Sequence, residues 1–267
     1  MTAIHVVLTN TIVQPANTEA MNLCIDQGNS RTKVALFREN GTIAKHFIYK
    51  HFASAEVEQL FQLYKIEDSI ISSVVNIEPA VVNALHRHSQ HFILFDHNTP
   101  LPIRNAYGTP ATLGQDRLAA AVGAGSIYPN ENVLIIDAGS AITYDFLSEE
   151  GVFVGGNIAP GIKMRFTILH RMTKKLPLVE VEENEMLPLF GRNTRDAIAA
   201  GVVRGVVFEV KGYMRDLQEQ IAHYKTIITG GNASYILHGL QAEVQTERHL
   251  VLKGLNQILQ YNTQPHQ

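Results

Sequence analysis

Several absences narrow the reading before any motif is considered. The 267-residue chain has a single cysteine, Cys24, so no disulfide can form within it. That fits a reducing cytoplasm. No stretch approaches the ~18 consecutive apolar residues of a membrane span. The start, MTAIHVVLTNTIVQPANTEA, lacks the charged head and long apolar core of a secretory signal. There is no surplus of basic charge: 22 Lys and Arg face 25 Asp and Glu, for a net charge of −3. The two signs are mixed, so the chain lacks the basic stripe that nucleic-acid binding needs. Two familiar phosphate devices are also missing. No G-x-x-x-x-G-K-S/T is present, and GAGSIY places Tyr128 where G-x-G-x-x-G needs its last glycine. His86, His88 and His91 crowd one segment, but no cysteine or H-E-x-x-H accompanies them, and His86 and His88 diverge on a helix. A solvated helix end is expected there rather than a metal site. Met164, Phe166 and Met172 are expected to be packing residues.

What is present is a duplicated pattern. Predicted strands at 22–25, 32–37 and 42–49 precede a helix at 54–66 with Ser54 as its expected cap. Asn40-Gly41 marks the turn between the second and third strands. A strand at 69–75, a helix opening at Pro79 and a strand at 91–95 follow. Residues 96–110 read as a loop, and 113–128 as an alanine-rich helix. The order then restarts. Strands at 133–137, 143–147 and 152–158 lead to a helix beginning near Pro160, and a long helix follows, capped by Asn193 or Thr194. A strand ending in Gly230-Gly231 and two short helices complete the chain.

Strands joined by short turns are antiparallel, and those separated by helices are parallel. The expected fold is therefore α/β, with a mixed sheet and flanking helices made twice. The boundary falls near residue 130, giving domains 21–130 and 131–267, and a chain of this length buries enough surface to need no disulfide or metal staple. Residues 1–20 are expected to be an extension outside the fold.

Each half ends an apolar strand on the same turn. DQGNS begins at Asp26 and DAGS at Asp137, 111 residues later. Gly28 and Gly139 let an anion approach the backbone, while Asn29, Ser30 and Ser140 offer hydrogen bonds to phosphate oxygens. Asp26 and Asp137 would repel phosphate directly, so their sensible role is to hold a cation or its water. Two such hairpins facing across a cleft would grip a nucleotide triphosphate. A lone Asp-x-Gly is what an ordinary turn uses; the repetition carries the functional reading. Lys33 could touch a phosphate or simply face outward from an alternating strand. In GQDR, Asp116 is a candidate base for an alcohol and Arg117 for pairing with a substrate carboxylate, with Tyr107 poised to close over it. An acidic first helical turn that complements the helix dipole is the plainer alternative.

The series DQGNS, AYGTPATLGQDR, DAGSAIT, GGNIAPG, GRNT and TGGNA closely resembles the type III pantothenate kinases, in order from Met21 to about Leu259. These belong to the actin-like, ribonuclease H-like superfamily of sugar kinases and Hsp70 ATPases. The resemblance implies two duplicated actin-like domains, each with a mixed five-stranded sheet, and a nucleotide cleft between them. It implies ATP-dependent phosphorylation of pantothenate, the first step toward coenzyme A, with Mg²⁺ and a monovalent cation, K⁺ or NH₄⁺. By the same resemblance, Asp26, Gln27, Gly28, Asn29, Ser30, Arg31, Thr32, Lys33 and Ser140 contact ATP. Tyr107, Gly114, Gln115, Asp116, Arg117 and Thr194 contact pantothenate. Asp116 is the proton acceptor and Asp137 the monovalent-cation ligand. Thr194 implies a homodimer, since in the family it reaches the site from the partner subunit; the cytoplasmic location rests on the lone cysteine. Ser140 replaces the usual threonine, Gln27 a frequent apolar residue, and Asn232 an aspartate, so no cation role is assigned at 232. The rivals are a kinase for a sugar or short acid, and a regulatory relative that binds without turnover.

Overall fold

The computed structural model describes residues 19–240 and 242–263. Of the expected extension, residues 1–18 lie outside the described residues. The first half forms β1 (Met21–Gln27), β2 (Thr32–Arg38), β3 (Ile43–Tyr49), α1 (Ser54–Leu63), β4 (Ile66–Ser73), α2 (Pro79–His88) and β5 (His91–Leu94). A two-residue strand, β6 (Arg104–Asn105), and α3 (Gln115–Ile127) lead to the second half. There, β7 (Val133–Ala138), β8 (Ala141–Leu147), β9 (Val152–Pro160), α4 (Ile162–Met172) and α5 (Thr194–Gln220) are followed by four more elements. These are β10 (Lys225–Thr229), α6 (Ala233–Leu237), β11 (Gln245–Thr246) and α7 (Leu250–Thr263).

The first sheet has the order β3-β2-β1-β4-β5 and the second β11-β10-β7-β8-β9-β6. In both, the three hairpin-linked strands are antiparallel and the strands reached through helices are parallel. The expected five strands hold for the first sheet. The second has six, because the 96–110 loop contributes β6, paired in parallel with β9. Two helix starts also differ from expectation. Ser54 lies inside α1; Ala53 is the N-cap, and its N–H donates to the Glu56 carboxylate at 2.9 Å. Pro160 closes β9 rather than opening α4. Asn193 caps α5 by accepting the Asp196 N–H at 2.9 Å.

Three apolar layers organise the molecule. The outer face of the first sheet packs under α1 and α2, and that of the second under α4, α5 and α6. The third layer joins the halves: Cys24, Ala35, Phe37 and Ile70 from the first sheet share one core with Val133, Ile135, Leu147 and Phe153 from the second. Helices α3 and α7 lie in that shared layer. Small residues let them approach almost backbone to backbone. A Cβ on Gly254 would lie 1.7 Å from the Ala119 carbonyl oxygen, and one on Gly123 would lie 2.5 Å from that of Leu250. The alanines of α3 thus serve close packing. Fully burying a leucine such as Leu118 or Leu255 adds roughly 1.5–3 kcal/mol each. Asn22 of β1 also donates to buried Asn256 of α7 at 2.9 Å.

Among the packing residues expected from sequence, only Phe166 is buried; Met164 is half-exposed and Met172 protrudes. The histidine segment lies at the end of α2 as expected. His88 meets the Glu58 carboxylate at 2.6 Å and stacks on Phe61, while His91 meets Asp68 at 2.9 Å. Among the described residues, no three His, Cys, Asp or Glu side chains are arranged to hold a metal ion by themselves. No helix among them is long and apolar enough to cross a membrane.

Candidate active site

The first turn is built by β1 running into β2. Gly28 closes it, its N–H donating to the Arg31 carbonyl at 3.1 Å. Asp26 and Lys33 are register partners, and Lys33 Nζ lies 3.8 Å from Asp26 Oδ2. Gln27 turns toward β4, where its Oε1 accepts from the Ser73 hydroxyl at 3.2 Å. Thr32 is buried, while Asn29, Ser30 and Arg31 stand exposed at the tip.

The second turn joins β7 to β8, with Gly139 and Ser140 at its tip. The glycine pair after β10 braces it from beside. Gly230 has φ +92°, and a Cβ there would lie 2.4 Å from Asp137 Oδ1. Only glycine takes that conformation freely and leaves room for the carboxylate. Asn232 donates its backbone N–H to the Ala138 carbonyl and its side-chain amide to that of Gly139, both at 2.9 Å. The chain thus uses Asn232 to fix the shape of the DAGS turn.

The two tips meet. Ser30 Oγ lies 3.3 Å from Ser140 Oγ. The carboxylates beneath them form one electrostatic group. Burial pushes the Asp26 carboxyl up to about 6; Lys33 opposes the rise, and Asp116 and Asp137 add to it. Burial likewise lifts Asp137 to about 6, again against Lys33 and reinforced by Asp116 and Asp145. Asp137 keeps a partly exposed surface, so water screens some of that penalty.

Asp116 sits in the first turn of α3, after the N-cap Gly114. A Cβ on Gly114 would lie 2.5 Å from Asp116 Oδ1, so glycine lets the carboxylate fold back. That oxygen accepts the Arg117 backbone N–H at 2.9 Å. Burial raises the Asp116 carboxyl, while Arg117 and Lys33 restrain it. Gln115 donates to the Leu113 carbonyl at 3.2 Å, and its buried Oε1 has no partner.

Arg117 is buried. Its Nε and Nη2 donate to Asp145 Oδ1 at 2.9 and 2.5 Å. The Tyr107 and Phe153 rings lie 5.6 and 5.8 Å from its Cζ. Sequence reasoning missed Asp145; the available signal was a carboxylate inside an otherwise apolar strand.

The structure therefore brings Asp26, Lys33, Asp116 and Asp137 into mutual electrostatic reach, joins Ser30 to Ser140, and places Tyr107 against Arg117. Among the described residues, Thr194 makes no side-chain hydrogen bond to this group; it starts α5 on an exposed face. Chemically, the site offers the Ser30 and Ser140 hydroxyls at the hairpin tips and excess carboxylate charge beside them. That arrangement calls for a cation when a polyphosphate enters.

The family model described as type III pantothenate kinase matches residues 22–216. A Phocaeicola vulgatus protein named Type III pantothenate kinase is 41% identical over 242 residues, covering 91% of this chain and 99% of its own. One from Porphyromonas gingivalis under the same name is 38% identical over 244 residues, covering 91% and 99%. Among solved structures, a ROK family glucokinase from Streptomyces griseus in complex with glucose and AMPPNP aligns with TM-score 0.53 at 12% identity, covering 90% of this chain and 99% of that one. A putative 2-dehydro-3-deoxygalactonokinase from Sinorhizobium meliloti aligns with TM-score 0.54 at 11% identity, covering 91% and 100%. These two likenesses speak to the fold.

Proposed function

This chain belongs to the type III pantothenate kinase family, and we propose that its acidic cleft carries out the family reaction with Asp116 as the proton acceptor. The reaction is ATP-dependent phosphorylation of pantothenate to 4′-phosphopantothenate, the first step of coenzyme A biosynthesis. The observation that supports the assignment is the meeting of the two hairpins above three mutually interacting carboxylates.

The triphosphate lies across the two tips. Residues 26–33 contact it from one half and Ser140 from the other. Lys33 supplies a positive charge to phosphate oxygens once ATP competes with Asp26 for it. Pantothenate lies against Gly114–Arg117 under Tyr107, its carboxylate toward Arg117. As the hydroxyl oxygen bonds to the γ-phosphorus, the bond to the ADP oxygen breaks and the hydroxyl proton passes to Asp116. Positioning and electrostatics supply most of the acceleration. Burial suits Asp116 to this task, because a raised carboxyl is a better proton acceptor than one at its ordinary acidity.

A divalent ion bound with ATP fits this site. Two acidic side chains without a full protein cage match Mg²⁺, which takes much of its coordination from phosphates and water. Asp26 and Asp137 are the residues that would hold it or its waters; the ion would offset charge on the β- and γ-phosphates. A monovalent cation, K⁺ or NH₄⁺, is assigned to Asp137, whose charge is crowded by Asp116 and Asp145.

The active form is a homodimer in this reading. Phe190, 80% exposed, lies four residues before Thr194, and half-exposed Met164, Ile168 and Phe208 lie on α4 and α5. Exposed apolar side chains of this kind suit contact with a partner copy that would deliver Thr194 to the acceptor site. An ADP-release assay with and without pantothenate, K⁺ varied, tests the activity. Sedimentation of the same protein tests the dimer. Pantothenate-independent release, or a monomer at full activity, would count against the respective assignment.

A further inference from the structure

We propose that Asp145 is a positioning residue for the acceptor site, acting through Arg117; the inference rests on the reading that Arg117 faces pantothenate. Asp145 is 1% exposed and Arg117 5%. A pair selected only for strength would use both carboxylate oxygens in a fork, giving two parallel bonds. Here both guanidinium N–H groups converge on Oδ1, while Oδ2 is buried without a hydrogen-bond partner. Burial raises the Asp145 carboxyl, while Arg117 and, less, Thr143 favour its charged form. Burying such a pair is a poor route to stability, since apolar side chains of similar volume usually do as well or better. Its specific yield is a fixed guanidinium.

The surroundings are shaped for that purpose. Asp145 faces Gly156 in the β8–β9 register, and a Cβ on Gly156 would lie 2.3 Å from Asp145 Oδ1. The Tyr144 carbonyl oxygen would lie as near, at 2.2 Å, so glycine at 156 makes room for both the β8 backbone and this carboxylate. Tyr107 and Phe153 confine the guanidinium, each ring under 6 Å from its Cζ. Nε and one Nη2 proton are directed at Asp145, and the Tyr107 side chain also supports the charged guanidinium; the protons left over are the ones that would meet a substrate acceptor. The Arg117 backbone also bonds Asp116 Oδ1. Holding Arg117 therefore steadies the turn that carries the proposed base.

The test is a double-mutant cycle in the full chain. Asp145→Ala should raise the pantothenate KM by about tenfold or more. The ATP KM should change by much less than the pantothenate KM, since Asp145 reaches the ATP hairpins only through its charge on Asp137. Asp145→Asn, which keeps an Oδ1 acceptor, should give a smaller change. In an Arg117→Gln background, Asp145→Asn should add no further rise. Equal rises in both KM values, or independent multiplication of the Asp145 and Arg117 effects, would overturn the proposal. Should the Asp145 variants fail to fold, nitrogen-15 NMR of the unaltered protein decides. The Arg117 Nε–H should resist solvent exchange with and without pantothenate, and rapid exchange would refute the link. Failure of the unaltered protein to phosphorylate pantothenate would strike the functional reading instead, while the Nε–H measurement still judges Asp145.

Discussion

Ser30 Oγ and Ser140 Oγ, 110 residues apart in the chain, lie 3.3 Å from each other. Each hydroxyl belongs to a different half and stands at the tip of its own hairpin. Their contact is one an incoming phosphate could replace, because each hydroxyl would then bond a charged oxygen in place of a neutral one.

Removing either hydroxyl should therefore weaken ATP more than pantothenate. A hydrogen bond to a charged group contributes roughly 1.5–3 kcal/mol, so Ser30→Ala or Ser140→Ala should raise the ATP KM about tenfold or more. The pantothenate KM should hold. Steady-state kinetics with each substrate varied is the check, and an unchanged ATP KM would remove the residue from the phosphate site.

Asp116→Asn keeps the size of the side chain and the acceptor for the Arg117 N–H, but it cannot take a proton. General-base assistance is typically worth 10²–10⁴-fold, so kcat should fall by about that factor. Calorimetry should find both substrates still bound. Near-normal turnover would show that another group accepts the proton.

Stability without ligands should depend on pH in an unusual direction. Asp26 and Asp137 sit at about 6 in the folded chain, against an ordinary 3.8. Folding makes both harder to ionise, so their contribution is full below about pH 3.8 and is lost as the pH rises through about 6. A shift of this size corresponds to about 3 kcal/mol for Asp26 and less for the partly screened Asp137. Asp96 acts oppositely: the Asn98 backbone N–H holds it low, so its share is lost on acidification. Burial holds His46 and His249 below the ordinary imidazole range, so their share is lost as the pH falls from 7 to 5 and offsets part of the gain. The check is therefore melting of the ligand-free protein beside an Asp26→Asn, Asp137→Asn double variant: the unaltered protein should gain more, or lose less, between pH 7 and 5, and identical pH dependence of the two would disprove the carboxylate cluster.

The cation assignment separates from the base assignment in the same assay. Asp137→Asn should abolish the response of ATP turnover to K⁺ while leaving the fold intact. An unaltered K⁺ activation curve would move the ion elsewhere.

The sheet pattern and the two hairpins were legible because period-two strands, Asn-Gly and Asp-x-Gly are local signals. Asp26 and Asp137 could be named because each lies near the end of an apolar strand, and Asp116 because GQDR opens a helix and fits the family resemblance. Three features were not legible, and all depend on partners distant in sequence. The β6 strand spans two residues and exists only through β9. The α3–α7 contact rests on glycines 131 positions apart, Gly123 and Gly254. Asp145 reads as one polar residue in a strand until Arg117, 28 residues earlier, arrives beside it. Asn232 looked like a lost ligand; in the fold its amide and backbone N–H shape the DAGS turn.

That last bracing gives a sharp test at Gly230. Its φ of +92° disfavours any L side chain, and a Cβ would lie 2.4 Å from Asp137 Oδ1 and 2.5 Å from the Ala138 carbonyl carbon. The neighbouring atoms are partly backbone, so they cannot simply swing aside. Gly230→Ala should cost about 1–3 kcal/mol in backbone strain, seen as lower melting. It should also displace Asp137, so ATP turnover and the K⁺ response should fall together. Gly231→Ala is the matched control, because nothing lies within 4 Å of a Cβ there and its φ is ordinary. Equal behaviour of the two variants would mean that the glycine turn does not set the position of Asp137.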